Sequence, residues 1–124
     1  MIPRQLAIQT LADHLSDEAV VTGLGFAAMD LQTHADRALN FYIWGAMGSA
    51  VSVALGLALA RPDVRVVSVD GDGSTLMNLG ALSTVGRYAP SNLAVIVLDN
   101  GQFQITGGQV TAAQTTNLAA VGRA

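Results

Sequence analysis

Two short runs carry the residues best suited to chemistry. Gly71-Asp72-Gly73-Ser74 comes just after the valine-rich run Val64–Val69, and Asp99-Asn100-Gly101-Gln102 follows the apolar run Leu93–Leu98. A carboxylate and an amide oxygen are hard ligands of the kind Mg²⁺ prefers, and Mg²⁺ tends to keep phosphate oxygens in its remaining positions. Gly73 and Ser74 open a helical pattern, where free N–H groups and the helix dipole favour a phosphate. Glycines on both sides of Asp72 let the backbone come close to an anion. The residues therefore suit a divalent cation that grips a phosphorylated ligand. This requires Asp72 and Asn100 to meet, and they do so if their two strands are parallel neighbours.

The chain supplies such strands. Ala19–Thr22, Val64–Val69 and Leu93–Leu98 read as strands, the last as an apolar strand of the sort buried inside parallel sheets. Helical patterns cover Pro3–Leu15, Phe26–Thr33, Ser49–Ala60 and Ser74–Tyr88, and another helix starts near Asn117. Ala35–Asn40 and the Gly-rich stretch after Asn100 read as loops. Alternating strands and helices predict an α/β fold: an open, mainly parallel sheet with helices on both faces, in one domain spanning residues 1–124. Such sheets bind ligands at the carboxyl ends of their strands, where Gly23–Gly25, Gly71–Gly73 and Asn100–Gly101 fall.

Composition narrows the function classes. The chain has 124 residues, six arginines, nine acidic residues, no cysteine and a net charge of −3. That balance speaks against nucleic acid, and the missing cysteines rule out disulfides and thiolate zinc sites. Charged residues make up 12%, against about 25% in an ordinary soluble domain. So few charges imply a surface covered by another subunit, with self-association expected. The N-terminus lacks a signal peptide's apolar core, so a cytoplasmic protein is expected. Phe41–Ala60 is uncharged and long enough to span a bilayer, but its recurring small residues and the Arg61-Pro62-Asp63 stop read as a soluble helix.

The GDG turn, helix, strand and asparagine turn together resemble the signature of thiamine diphosphate enzymes. That resemblance implies thiamine diphosphate and Mg²⁺ as cofactors, with Asp72, Asn100 and the backbone oxygen of Gln102 as metal ligands. It also implies that Gly71, Gly73, Ser74 and Asn100 hold the cofactor. Asp99 stands where the family often has a second asparagine. Gly45-Ala46-Met47-Gly48 looks like the family's segment against the aminopyrimidine ring, with Met47 as the wedge that bends the cofactor and Gly45 supplying a carbonyl to the 4′-amino group. The stretches NFYIWGAMGSA, GLALARPDVRVVSVDGDGSTLMNLGALSTVGRYAPSNLAVIVLDNG and TGGQ are nearest to the sulfopyruvate and phosphonopyruvate decarboxylase group. The implied activity is decarboxylation of a 2-oxo acid bearing a second anionic group.

That family also needs a glutamate beside the pyrimidine ring. The only one here is Glu18, at the wrong end of the first strand, where it reads as a solvated surface charge. The resemblance places the activating glutamate on a pyrimidine-binding partner subunit or domain on another chain, so this chain holds no catalytic residue of its own and is inactive alone. The histidines, His14 and His34, read as surface residues. Arg37 and Arg87 are candidates to meet the anionic substrate. The family continues past the helix that starts near Asn117, so the fold is expected to be short of its last elements. Three alternatives stay open: an acetolactate synthase-like carboligase subunit, a non-catalytic subunit that keeps the fold, and a dinucleotide module suggested by Gly23-x-Gly25-x-x-Ala28. The last lacks the acidic residue about 20 positions on that would bind a ribose.

Overall fold

The computed structural model describes residues 2–124. Four parallel strands form one sheet in the order β2-β1-β3-β4: β1 (Ala19–Thr22), β2 (Asn40–Tyr42), β3 (Val66–Gly71) and β4 (Leu93–Leu98). Alternate residues of the central strands feed two cores. Val21 and Val66 pack with Ala50, Ala54 and Ala58 of α3 (Ala50–Ala60). Val20, Val67 and Val69 pack on the other face with Ile8 of α1 (Arg4–His14) and Leu31 of α2 (Phe26–Ala35). Helices thus cover both faces, as the pattern of the sequence requires. The small residues of the uncharged segment serve α3, whose Ala50, Ala54 and Ala58 are buried against the sheet. Among the described residues no helix is long and apolar enough to cross a membrane.

The strand order decides where a ligand belongs. From β1 the chain moves outward to β2, then crosses back over β1 to β3 on its other side. The connections leaving β1 and β3 therefore run in opposite directions, and a crevice opens at their carboxyl ends.

Several elements differ from the sequence reading. Asn40–Tyr42 is a strand, not a loop and lead-in; it is a three-residue edge with too little apolar patterning to announce itself. β3 runs on through Asp70 and Gly71 because those residues pair with Val97 and Leu98. β4 is an edge strand and largely half-buried, although its all-apolar run reads as an interior strand. The long helix is two: α4 (Asp72–Met77) and α5 (Gly80–Tyr88). Asn78 leaves helical geometry between them, donating its side-chain Nδ2 to the Gly48 carbonyl at 2.9 Å and to Ser52 Oγ at 3.2 Å. A tertiary contact here overrides a local propensity. The Gly-rich loop holds a small antiparallel hairpin, β5 (Gln102–Phe103) with β6 (Gln109–Val110), and α6 (Leu118–Arg123) follows.

Glu18 is a correction. It is buried, not solvated, and pairs with Arg65 at 2.8 Å. The Ser16 backbone N–H, with help from Glu18's own N–H and the Arg65 charge, holds its carboxyl below the usual carboxylate range. Since its folded pKa is depressed, Glu18 stabilises the fold above its unfolded value near 4.5, and that contribution is lost as the pH falls through the folded value. Chemical denaturation of wild type and Glu18→Gln should therefore show a stability difference at pH 7 that narrows at pH 3. A gap that stays constant with pH would contradict the assignment.

Candidate functional site

Parallel register brings the two motifs together. Gly71 pairs with Leu98, so Asp72 and Asp99-Asn100 leave the sheet side by side. Asp72 is 2% exposed, and its Oδ1 accepts a long hydrogen bond, 3.4 Å, from the Asn100 backbone N–H. Its Oδ2 accepts from the hydroxyl of buried Thr111. The Thr111 N–H in turn donates to the Gly101 carbonyl at 2.9 Å. That bond makes Gly101–Thr111 a hydrogen-bonded pair, so Gln102–Val110 is the non-bonded pair of the hairpin. The Gln102 carbonyl therefore points away from β6 and is left to another partner. The Asn100 side-chain oxygen accepts from the Gln102 N–H at 2.9 Å and keeps a second lone pair. Asp72 and the Asn100–Gln102 turn thus meet at two neighbouring strand tips. Sequence reasoning missed Thr111, which lies 39 residues from Asp72 and sat in a stretch read only as loop.

A second network ties the Gly45–Gly48 turn to this one. Ser74 Oγ accepts from the Gly48 N–H at 2.8 Å and donates to Asp70 Oδ2 at 2.8 Å. Asn78 closes the clasp on the Gly48 carbonyl. Gly48 has φ +83°, and an added Cβ would lie 3.1 Å from the Asn78 Cβ. Burial pushes the Asp70 carboxyl up, against the Ser74 and Gly71 donors that lower it. Gly23 must be glycine for Asp70's sake, since a Cβ there would lie 2.2 Å from Asp70 Oδ1.

Around these turns lies a cleft of about 740 Å³, lined by Gly25, Met47, Gly71, Asp72, Asn100 and Gln102 among others. Its glycines divide into two sorts. A Cβ on Gly71 would meet nothing within 4 Å, so the backbone there faces open space that a ligand can enter, while Gly45, equally open, is not among the residues that line the cleft. Gly73 carries a constraint the sequence did not show: a Cβ there would lie 2.4 Å from the Phe103 ring, so its bareness accommodates Phe103. Ser74 differs in part from the sequence reading, because its hydroxyl is already used in the clasp and only its backbone is left for a ligand. Met47 is about one-third exposed at the cleft wall. α4 opens at Gly71 with no side chain capping its first N–H groups.

The other candidates lie elsewhere. His14 and His34 are exposed, as expected. Arg37 donates to the carbonyls of Ser16 and Glu18, at the amino end of the sheet and far from the cleft. Arg87 sits in the last turn of α5, just before β4 begins, at that same end. Neither faces a ligand at the strand tips.

Comparisons with known proteins give the family. The family described as "Thiamine pyrophosphate enzyme, C-terminal TPP binding domain" matches residues 23–123. The chain belongs to this family. The match takes in Gly23–Gly25, so that turn is part of a thiamine pyrophosphate-binding domain and not of a dinucleotide module. The chain is 52% identical over 114 residues to the phosphonopyruvate decarboxylase of Streptomyces viridochromogenes, covering 92% of this chain and 28% of that protein. It is 45% identical over 121 residues to the sulfopyruvate decarboxylase subunit beta of Methanothermobacter thermautotrophicus, covering 98% of this chain and 65% of that one. It therefore spans under a third of the first and about two thirds of the second. A solved structure from Mycobacterium smegmatis, described as that of a thiamin diphosphate-dependent enzyme, shares the fold with a TM-score of 0.82 at 23% identity, over 98% of this chain and 25% of that one.

Proposed function

We propose that this thiamine pyrophosphate-binding domain supplies the diphosphate- and Mg²⁺-binding half of the active site of a 2-oxo acid decarboxylase. Its substrate class is a short 2-oxo acid with a second anionic group, as in the named substrates of its sulfopyruvate and phosphonopyruvate relatives. The observation that carries this reading is the meeting of Asp72 and Asn100 at adjacent strand tips, with the Gln102 carbonyl turned out of its ladder.

The residues fit the group. Asp72, Asn100 and the Gln102 carbonyl would hold Mg²⁺, which takes oxygen ligands and retains phosphate oxygens. The backbone at Gly71, Gly73 and Ser74, opening α4, would hold the diphosphate. Gly45 would offer its carbonyl, and Met47 its apolar side chain, to the rings. When bound, the cofactor supplies a nucleophilic carbon and an electron sink for decarboxylation. The chain's own part is to position and neutralise: the Asp72 carboxylate would balance the metal's charge, and the Ser74–Gly48–Asn78 clasp fixes the Met47 turn relative to Asp70 and α4.

The chain lacks a second half-site. Glu18, its only glutamate, is locked in an ion pair at the amino end of the sheet. A pyrimidine-binding partner subunit or domain would bring the activating carboxylate and cover the apolar side chains left exposed, among them Phe41 (57%), Trp44 (65%) and Met77 (64%). The β-subunit naming of one relative supports that arrangement, and cytoplasmic location fits it.

Titrating the partnered chain with thiamine diphosphate tests the reading. Fluorescence of Trp44, the only tryptophan, should change on binding with Mg²⁺ present and not when EDTA removes it. Binding that is indifferent to EDTA would argue against the metal site.

A further inference from the structure

The cation of this cleft is one the sequence hides. Arg4 contributes the only cationic side chain among the described residues lining the cleft. It looks like a surface position on the polar face of α1. The fold instead aims it at the strand tips and fixes it there. Its Nε donates to Asp30 Oδ2 at 2.6 Å, its Nη1 donates to Gln104 Oε1 at 2.8 Å, and its guanidinium lies 5.1 Å from the Phe26 ring centroid. The side chain is 28% exposed, mostly shielded yet open to a ligand. Gln104 Oε1 also accepts from Asn100 Nδ2 at 3.4 Å, so a single amide links Arg4 to the asparagine of the metal site.

The donor count leaves an unfilled recognition surface. Arginine carries five N–H donors in a fixed fork. Asp30 and Gln104 take one each among the described residues, leaving both N–H groups of Nη2 and one of Nη1. A planar fork held by an ion pair and a ring loses little side-chain freedom on binding an anionic oxygen group. Lysine would carry the charge without the fork.

We propose that Arg4 is a further anion-binding residue of this cleft, taking an anionic oxygen group of the bound ligand on its free N–H edge. The inference rests on the reading of the cleft as a thiamine diphosphate site. The chemistry can come from two sources: the cofactor's diphosphate, or the second acidic group of the substrate.

The test uses the partnered chain and two readouts. Thiamine diphosphate affinity is followed by Trp44 fluorescence with Mg²⁺ present. KM is compared for sulfopyruvate and for pyruvate, which lacks the second acidic group. Arg4→Gln should weaken one interaction about tenfold or more, the scale of a lost charge-assisted hydrogen bond, and Arg4→Lys should restore part of it. A weaker diphosphate affinity assigns the group to the cofactor. An unchanged affinity with a KM rise confined to sulfopyruvate assigns it to the substrate. Asp30→Asn breaks the same ion pair but keeps the guanidinium, so equal weakening in Arg4→Gln and Asp30→Asn would mean a merely structural role and overturn the proposal. So would changes under twofold in both readouts in a folded Arg4→Gln. Failure of the underlying reading looks different: the wild-type chain itself would not bind the cofactor, and Arg4 would lose its assignment with it.

Discussion

Asp72→Ala is expected to weaken magnesium-dependent binding of thiamine diphosphate by on the order of 100-fold or more. Outer-shell partners of a metal alone typically cost about 10–100-fold when removed, and Asp72 would be the only charged one of the three proposed ligands. A methyl group offers the cation nothing. The substitution also strands the buried Thr111 hydroxyl and the Asn100 N–H, which lose their acceptor. That costs roughly 1–3 kcal/mol of stability, so the variant should melt earlier. Asp72→Asn separates the two effects. It keeps an acceptor for Thr111 and nearly the same shape, so its stability should stay closer to wild type while its metal affinity still falls for want of charge. Calorimetric titration of wild type and both variants with the cofactor and Mg²⁺ checks this. Wild-type affinity in both variants would mean the carboxylate holds no metal.

The second large effect concerns the missing carboxylate. The isolated chain should release no CO₂ from 2-oxo acids above background, and adding the proposed pyrimidine-binding partner should raise the rate by at least about a thousandfold. The scale follows from catalysis depending on a proton transfer that no described residue is placed to make; positioned acid–base groups contribute about 10²–10⁴-fold, and the proposed partner would also complete the binding surface. Replacing the partner's activating glutamate by glutamine should remove most of that gain while cofactor binding persists. Full activity from the isolated chain would overturn the divided site.

The sequence made some of this legible and hid the rest, for physical reasons. Asp72 and Asn100 were readable because each lies within two residues of a strand's end, and parallel neighbours bring successive strand tips together without any detailed packing. The two-faced sheet was readable from the same apolar alternation. The kink at Asn78 was not: the run from Ser74 to Tyr88 has no helix breaker strong enough to predict it, and its cause is the Gly48 carbonyl 30 residues away. Thr111 and Arg4 were hidden for the same reason. Thr111 reaches Asp72 across 39 residues, and Arg4 reaches Gln104 across 100. Arg37 and Arg87 were poor guesses because charge alone does not say which end of the sheet a side chain occupies. Gly73 shows a subtler limit: glycine was expected between a strand and an anion-binding helix, yet the neighbour that demands it is a phenylalanine ring.

Diffraction from crystals of the partnered chain grown with thiamine diphosphate and Mn²⁺, recorded at an energy where manganese scatters anomalously, tests the metal site most directly. One peak is expected, about 2.1–2.2 Å from the Asp72 carboxylate, the Asn100 side-chain oxygen and the Gln102 carbonyl, the spacing of a small octahedral divalent ion. A bound cofactor whose diphosphate carries no ion at these oxygens, or an ion held by other residues, would contradict it.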